Sequence, residues 1–223
     1  MKDRLFTNLL VLCCAPLVAQ TPVSTPADQG PSTVRAAQTH SSGIGFSYSI
    51  PLDWEVVDTK PMLPVVKQQQ TQTATSDDEK KGIACAQIAL MARNGTPASV
   101  IEVLVIPFDC FGQRFTDKDL PGFAIGVAGG LKKTFDMKDQ VYGAYTLGTH
   151  SVWIERAYGT SINHPAVKRT VETVCSLLKK GAVCWMVLAA DDDALQTFEH
   201  GAVTFESDAP VALVPASAFQ TKP

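Results

Sequence analysis

The sequence predicts an α+β domain, an α/β/α sandwich around a mostly antiparallel β-sheet. The first observation is the stretch Thr170 to Ala190, in which two apolar runs flank Lys179, Lys180 and Gly181 and so predict a β-hairpin. The second is that Ala182 to Ala190 contains no charged residue, which is typical of a central strand covered on both faces. The third is the order of predicted elements, in which hairpins precede and follow a helix.

The first 20 residues are typical of a signal peptide. Lys2 and Arg4 give a positively charged start, and Leu5 to Ala19 forms an apolar core. A retained membrane anchor is the alternative, but this core is shorter than the roughly 20 residues that cross a bilayer. We therefore expect export to the periplasm or secretion, with no membrane-spanning segment after signal removal.

Composition divides the rest of the chain into a tether, one domain and a tail. Residues 21–42 are rich in Pro, Ser, Thr and Gln, which predicts a disordered tether. The domain is expected over residues 43–206 and a Pro- and Ala-rich C-terminal tail over residues 207–223, with Val211 to Val214 as a candidate terminal strap. The formal net charge of the 223-residue chain is -3, so no basic field for nucleic acid is present.

The first half of the domain reads as strands interrupted by one long loop. Alternation predicts a strand around Phe46 to Pro51 and a second at Trp54 to Val57. The polar stretch Asp58 to Lys81 predicts a mobile surface loop. Ile83 to Ala92 and Val100 to Pro107 then form a predicted hairpin around the Asn-Gly turn at positions 94 and 95.

A helix is predicted from about Asp119 to Phe135. Asp119 can cap it and Pro121 is tolerated in its first turn. Gly122, Gly126 and Gly130 lie on one face, and we expect this flat face to lie close to the sheet. The alternative, a glycine stripe that pairs membrane helices, is disfavoured because the uncharged segment is too short to span.

The second half of the domain is predicted to be two hairpins, a short helix and a strand. Gln140 to Leu147 pairs with Ser151 to Gly159, followed by the hairpin described first. A short helix after Asp193 and a strand at Ala202 to Phe205 complete the domain.

Four cysteines remain after signal removal: Cys85, Cys110, Cys175 and Cys184. In an exported protein an even number suggests disulfides. Pairing Leu177 with Ala182 places Cys175 directly opposite Cys184, and Cys85 would then pair with Cys110. Four buried free thiols are the alternative.

No catalytic, cofactor-binding or metal-binding motif is present. His150 and Ser151 could be a base and a nucleophile, but neighbours on a strand point to opposite faces. The aspartates 191 to 193 could bind a hard cation, but Asp192 or Asp193 more simply caps the helix that follows. No metal, cofactor or catalytic residue is therefore assigned.

Trp153, Glu155 and Arg156 are the candidate partner-binding residues. An aromatic side chain flanked by charges on a strand can anchor a partner. Alternation places Trp153 and Glu155 on one face and Arg156 on the other. Trp54 and Trp185 are expected in the core, and packing of Trp153 under a helix is the alternative to exposure.

The domain from Gly43 to Phe205 resembles the PsbP-like family. The resemblance is carried by FSYSIPLDWEVVD, by the glycine-bearing helix, and by the hairpin, helix and strand in GAVCWMVLAADDDALQTFEHGAVTF. This family includes the photosystem II extrinsic subunit and bacterial exported proteins such as DcrB-like ones. The resemblance implies a sandwich fold and a role in binding or assembly without catalysis.

The predicted function is that of an exported, non-enzymatic binding or assembly-accessory domain without a cofactor. The expected partner is another envelope protein. A carrier of a small apolar or lipid-like ligand, held between sheet and helix, is the alternative. A hydrolase whose catalytic residues are scattered along the sequence ranks last.

Overall fold

The computed structural model describes residues 37–41, 43–132, 134–205 and 209–219. The predicted signal peptide lies outside the described residues. Within them, no helix is long and apolar enough to cross a membrane. The elements are β1 (Ala37–Ser41), β2 (Phe46–Pro51), β3 (Glu55–Val56), α1 (Leu63–Thr73), α2 (Asp77–Cys85), β4 (Gln87–Asn94), β5 (Ser99–Pro107), α3 (Phe108–Phe111), α4 (Leu120–Leu131), β6 (Phe135–Leu147), β7 (His150–Ser161), β8 (Lys168–Leu177), β9 (Gly181–Ala189), α5 (Asp192–Glu199), β10 (Ala202–Phe205) and β11 (Val211–Ala212).

A seven-stranded antiparallel sheet in the order β3-β4-β5-β9-β8-β7-β6 forms the centre of the protein. The hairpin predicted first is β8–β9, and its register pairs Leu177 with Ala182 and Cys175 with Cys184 as expected. Every residue of β9 is buried, as its uncharged sequence predicts. The α+β class and the antiparallel sheet are thus confirmed.

The two faces of this sheet are covered differently. Helices α2, α3 and α4 pack on one face, where side chains such as Phe108, Phe123 and Met186 form a core. The other face packs against α5 and a four-stranded sheet in the order β1-β2-β10-β11, with Phe46, Trp185 and Phe198 in the core between them. The second outer layer therefore contains a small sheet in addition to a helix.

The ordered domain is longer at both ends than the sequence indicated. Ala37–Ser41, placed in the disordered tether by the prediction, is strand β1 and pairs with β2. The rest of the predicted tether, residues 21–36 and 42, lies outside the described residues. In the predicted tail, Leu213, Val214 and Ala218 are buried in the core. Residues 211–219, which we call the strap, therefore belong to the domain.

The prediction of a mobile loop from Asp58 to Lys81 is wrong, because this segment contains α1 and most of α2. Ser76 caps α2 by accepting a hydrogen bond from the Glu79 backbone N–H at 3.1 Å, and the Glu79 carboxylate accepts one from the Thr75 N–H at 2.7 Å. This reciprocal pattern is close to a capping box. Because α2 continues to Cys85, the following strand begins at Gln87 instead of Ile83.

Helix α4 forms as predicted but ends four residues earlier, since Phe135 begins β6. Of the three glycines expected to face the sheet, Gly126 is buried and Gly130 is half-buried, but Gly122 is not part of that face. Gly122 is exposed, with nothing within 4 Å of the position a Cβ would take. The buried side chains of α4 are Leu120, Phe123, Ala124, Val127, Ala128 and Leu131.

Both expected disulfides are present. Cys85 at the end of α2 is bonded to Cys110 in α3, and Cys175 is bonded to Cys184 across the central hairpin. The first links two helices, because residues 83–85, predicted to begin a strand, are helical.

Candidate binding site on the edge hairpin

The three predicted contact residues lie on β7, next to the edge strand β6. Trp153 and Glu155 point to the helix-covered face, where Trp153 packs against the core of that side. Arg156 points to the opposite face and contacts Phe219 of the strap. The three side chains therefore do not form one contact surface, and their role in binding a partner stays a prediction.

Trp153 and Glu155 belong instead to a cluster with Tyr142 and Gln140 of β6, which we call the aromatic–carboxylate cluster. Tyr142 is the cross-strand partner of Glu155, and its ring centroid lies 6.1 Å from that of Trp153. Gln140 Nε2 donates to Glu155 Oε1 at 2.7 Å. Tyr142 is 44% exposed, so the cluster has an aromatic surface toward solvent and a carboxylate below it.

Two polar atoms of this cluster have no hydrogen-bond partner. Glu155 Oε2 and Trp153 Nε1 are both buried, and neither bonds to any residue in the described ranges. Burial raises the pKa of Glu155, whereas Lys132 at the end of α4 and the bond from Gln140 lower it. The site thus offers one acceptor and one donor beside two aromatic rings.

On the other face, Arg156 is held by two carboxylates. Its Nε donates to Glu172 Oε2 at 2.6 Å, and its Nη2 donates to Glu199 Oε1. The guanidinium carbon also lies 4.4 Å from the centroid of the Phe219 ring. Because these contacts join β7, β8, α5 and the strap, Arg156 is explained by a structural role.

Glu172 is the fully buried member of this ion network. Burial raises its pKa to about 7; Arg156 opposes this shift and Glu199 adds to it. Tyr48 and Tyr145 are also nearby, and burial raises the pKa of each hydroxyl, with a further contribution from Glu172. Both hydroxyls donate to backbone carbonyls, Tyr48 to Phe198 and Tyr145 to Leu213.

The residues considered for catalysis or metal binding are separated or used elsewhere. The His150 ring packs on Phe205, while Ser151 Oγ donates to Asp117 Oδ2 at 2.7 Å. Asp191, and not Asp192 or Asp193, caps α5 through a 2.8 Å bond from the Ala194 N–H, because the helix begins two residues earlier than predicted. No group of His, Cys, Asp and Glu suited to a metal occurs among the described residues.

Two further concave regions are present in the described part of the chain. A cavity between α1, α2 and β5, lined by residues such as Lys67 and Glu102, has a volume of about 10 Å³, enough for one water. An open groove of about 540 Å³ lies between α5 and the end of β2, and includes Pro51, Asp193 and His200. Neither region resembles the enclosed apolar cavity that a lipid carrier needs.

Sequence reasoning missed Tyr142 and Gln140. Alternation placed Glu155 and Trp153 on one face, but their neighbours depend on the register of β6 against β7. That register shifts between Lys138 and Val141, where Asp139 adopts a positive φ of 52°. The tyrosine in a predicted strand next to Trp153 was a usable signal, whereas the shift itself has no clear sequence signature.

Comparison with known proteins identifies a distant similarity only. No family model and no curated protein matches the sequence. Among solved structures, the chain is similar to LpqN of Mycobacterium tuberculosis, which is described as involved in cell envelope biogenesis, with 15% identity over 74% of this chain and 84% of LpqN. The TM-score of 0.35 is too low for this similarity to carry an argument about function. The resemblance to the PsbP-like family is not confirmed by these comparisons.

Proposed function

We propose that this protein is an extracytoplasmic binding protein that contacts another protein of the cell envelope through the aromatic–carboxylate cluster and performs no catalysis. Two disulfides support an oxidising compartment, because such bonds seldom persist in the cytosol. The His150 ring packs on Phe205 while the Ser151 hydroxyl donates to Asp117, so the two side chains do not form a base–nucleophile pair. This arrangement supports binding over hydrolysis. The small volume of the cavity under α1 favours a protein partner over an apolar ligand.

The observation that carries the proposal is the combination of surface aromatic area with buried, unpartnered polar atoms at one place. Tyr142 provides exposed aromatic surface of the kind enriched at interface hot spots, and the partly buried Trp153 lies beside it. Glu155 Oε2 and Trp153 Nε1 lack the partners that buried polar atoms normally have. A bound partner can supply both.

The proposal is tested by photo-crosslinking in a bacterium that exports the full chain. A photoreactive phenylalanine analogue replaces Tyr142 in one variant and Val65 in a control, because Val65 is 55% exposed and lies on α1, away from the edge hairpin. We expect a defined adduct with one envelope protein, identified by mass spectrometry, from position 142 only.

A third variant carries the crosslinker at position 142 together with Trp153→Ala. The adduct should decrease at least tenfold in this variant if the cluster is the contact, since a hot-spot aromatic contributes about 2 kcal/mol or more. Equal adducts from positions 142 and 65, or an adduct unaffected by Trp153→Ala, would overturn the proposal.

A further inference from the structure

We infer that the partner inserts a cationic side chain, arginine or lysine, into the aromatic–carboxylate cluster, where it pairs with Glu155 Oε2 under the ring of Tyr142. This inference rests on the proposed function and specifies the chemistry of the partner. It follows from the carboxylate, the aromatic rings and the indole N–H of this cluster.

Glu155 determines the charge of the missing group. The residue is 3% exposed, and Oε1 already accepts from Gln140, so Oε2 is the acceptor that remains. A buried carboxylate is costly unless it is paired and hydrogen-bonded. A cationic donor satisfies both conditions at once, and charge-assisted hydrogen bonds are about twice as strong as neutral ones.

The two rings favour a cation over a neutral donor. Tyr142 and Trp153 are tilted by 40° with centroids 6.1 Å apart, and Tyr142 is the direct cross-strand neighbour of Glu155. A guanidinium or ammonium that reaches Glu155 therefore passes close to these rings, where a cation–π contact can add to the ion pair. Entry of the cation requires the Tyr142 side chain, which is 44% exposed, to turn aside.

The indole N–H of Trp153 indicates that the cation belongs to an amino-acid residue. This buried donor needs an acceptor, which a cationic side chain lacks. An arginine or lysine in a peptide carries a backbone carbonyl that can accept from Trp153. Lys132, which acts on Glu155 through its charge, is exposed at the end of α4 and does not donate a hydrogen bond to Glu155 Oε2.

The test follows the indole N–H signal of Trp153 by nuclear magnetic resonance in the full-length disulfide-bonded protein. N-acetyl-arginine amide and N-acetyl-lysine amide are titrated, with N-acetyl-norleucine amide as the neutral control of similar length. Trp54 and Trp185 are buried in the core on the other side of the sheet, so their indole signals report on the fold in the same spectrum.

We expect a saturable shift of the Trp153 signal with at least one cationic probe and at least a tenfold weaker response with norleucine. Glu155→Gln, nearly identical in shape, should weaken cation binding at least tenfold while the Trp54 and Trp185 signals stay in place. If that variant does not fold, Tyr142→Ala replaces an exposed side chain and should weaken binding severalfold.

Equal shifts with charged and neutral probes, or unchanged cation binding in Glu155→Gln, would overturn the inference. Binding of norleucine alone would indicate an apolar partner residue instead. Because crosslinking at position 142 does not depend on the partner's charge, a crosslink without a cation response would leave the proposed function standing and remove only this inference.

Discussion

Glu172 is a buried acid whose ionisation depends on folding. It lies among Arg156, Glu199, Tyr48 and Tyr145, and its folded pKa of about 7 exceeds the ordinary 4.5. A group with a raised folded pKa binds its proton more tightly in the folded state. Its stabilising contribution is therefore complete below pH 4.5 and is lost as the pH rises through 7.

We predict that ionisation of Glu172 lowers the free energy of unfolding by about 3 kcal/mol as the pH rises from 4.5 to 8. This value follows from the shift in its pKa, at about 1.36 kcal/mol per pKa unit. Glu172→Gln cannot ionise, so the variant should gain stability relative to the wild type as the pH rises. Urea unfolding of both proteins at four pH values measures the difference. A difference that stays constant with pH would contradict the prediction.

Gly143 is required where the strap crosses β6. A Cβ at this position would overlap the carbonyl oxygen of Ala218 and lie 3.0 Å from the Ile154 side chain, so the strap would have to shift. We predict that Gly143→Ala destabilises the protein by about 1 to 3 kcal/mol. Thermal unfolding measures this loss.

Gly122→Ala is the matched control, because the space around Gly122 in α4 is open. Alanine has the higher helix propensity, so this variant should gain up to about 1 kcal/mol. If both variants lose stability equally, the strap contact is not the reason that position 143 is glycine.

At the level of elements, the Cys85–Cys110 bond stabilises the part of the helix layer with the weakest packing. None of the side chains of α1 is buried, and α1 is held mainly by its contacts with α2. The disulfide, with a sequence separation of 25, fixes the end of α2 to α3. Loss of this disulfide should therefore increase local unfolding first in α1 and α2.

We predict that Cys85→Ala with Cys110→Ala costs about 3 kcal/mol and increases amide hydrogen exchange in α1 and α2, while β8 and β9 stay protected. The control pair, Cys175→Ala with Cys184→Ala, should leave the exchange of α1 and α2 unchanged. Mass spectrometry of exchanged peptides measures both. The same pattern in the two variants would exclude a local role for the first bond.

Elements with a strong apolar period were predictable from the sequence, and elements held by tertiary contacts were not. The β8–β9 hairpin and its cysteine pairing follow from alternation within one segment. Helix α1 was missed because its sequence after Val66 is polar and none of its residues is buried, so no apolar face marks it as a helix. The strap was predicted only as a candidate at Val211 to Val214 within a tail, because three buried side chains in a Pro-containing segment give no periodic signal.

The candidate site was predictable only where it depends on alternation within one strand. Trp153 and Glu155 lie on one strand, so alternation alone put them on one face. Their contact with Tyr142 depends on a register shift opposite a positive-φ aspartate, which is a property of the paired strands. Arg156 was predicted to contact a partner because of its charge. It instead pairs with Glu172 of β8 and Glu199 of α5, and no local sequence pattern shows that these two elements meet at Arg156.

At the scale of the whole molecule, the second sheet and the strap close one side of the core. Phe205 of β10, Leu213 of the strap and Tyr48 of β2 pack together with the central strands. Tyr145 reaches from the edge strand β6 to the Leu213 carbonyl at 2.7 Å. The last described segment therefore fixes the same edge hairpin that carries the aromatic–carboxylate cluster on its opposite face.

The strand order also determines when each part of the protein can fold. Strands β6, β7 and β8 each pair with the next strand in sequence, so strands β6 to β9 can assemble by closing short loops. Strand β5, by contrast, pairs with β9 from Val100↔Leu188 to Pro107↔Gly181 and must close the whole intervening chain. During synthesis from the N-terminus, the apolar strand β5 is therefore paired only with β4 until β9 has been made. We expect the chain to be most prone to aggregation during that interval, because one edge of β5 is unpaired.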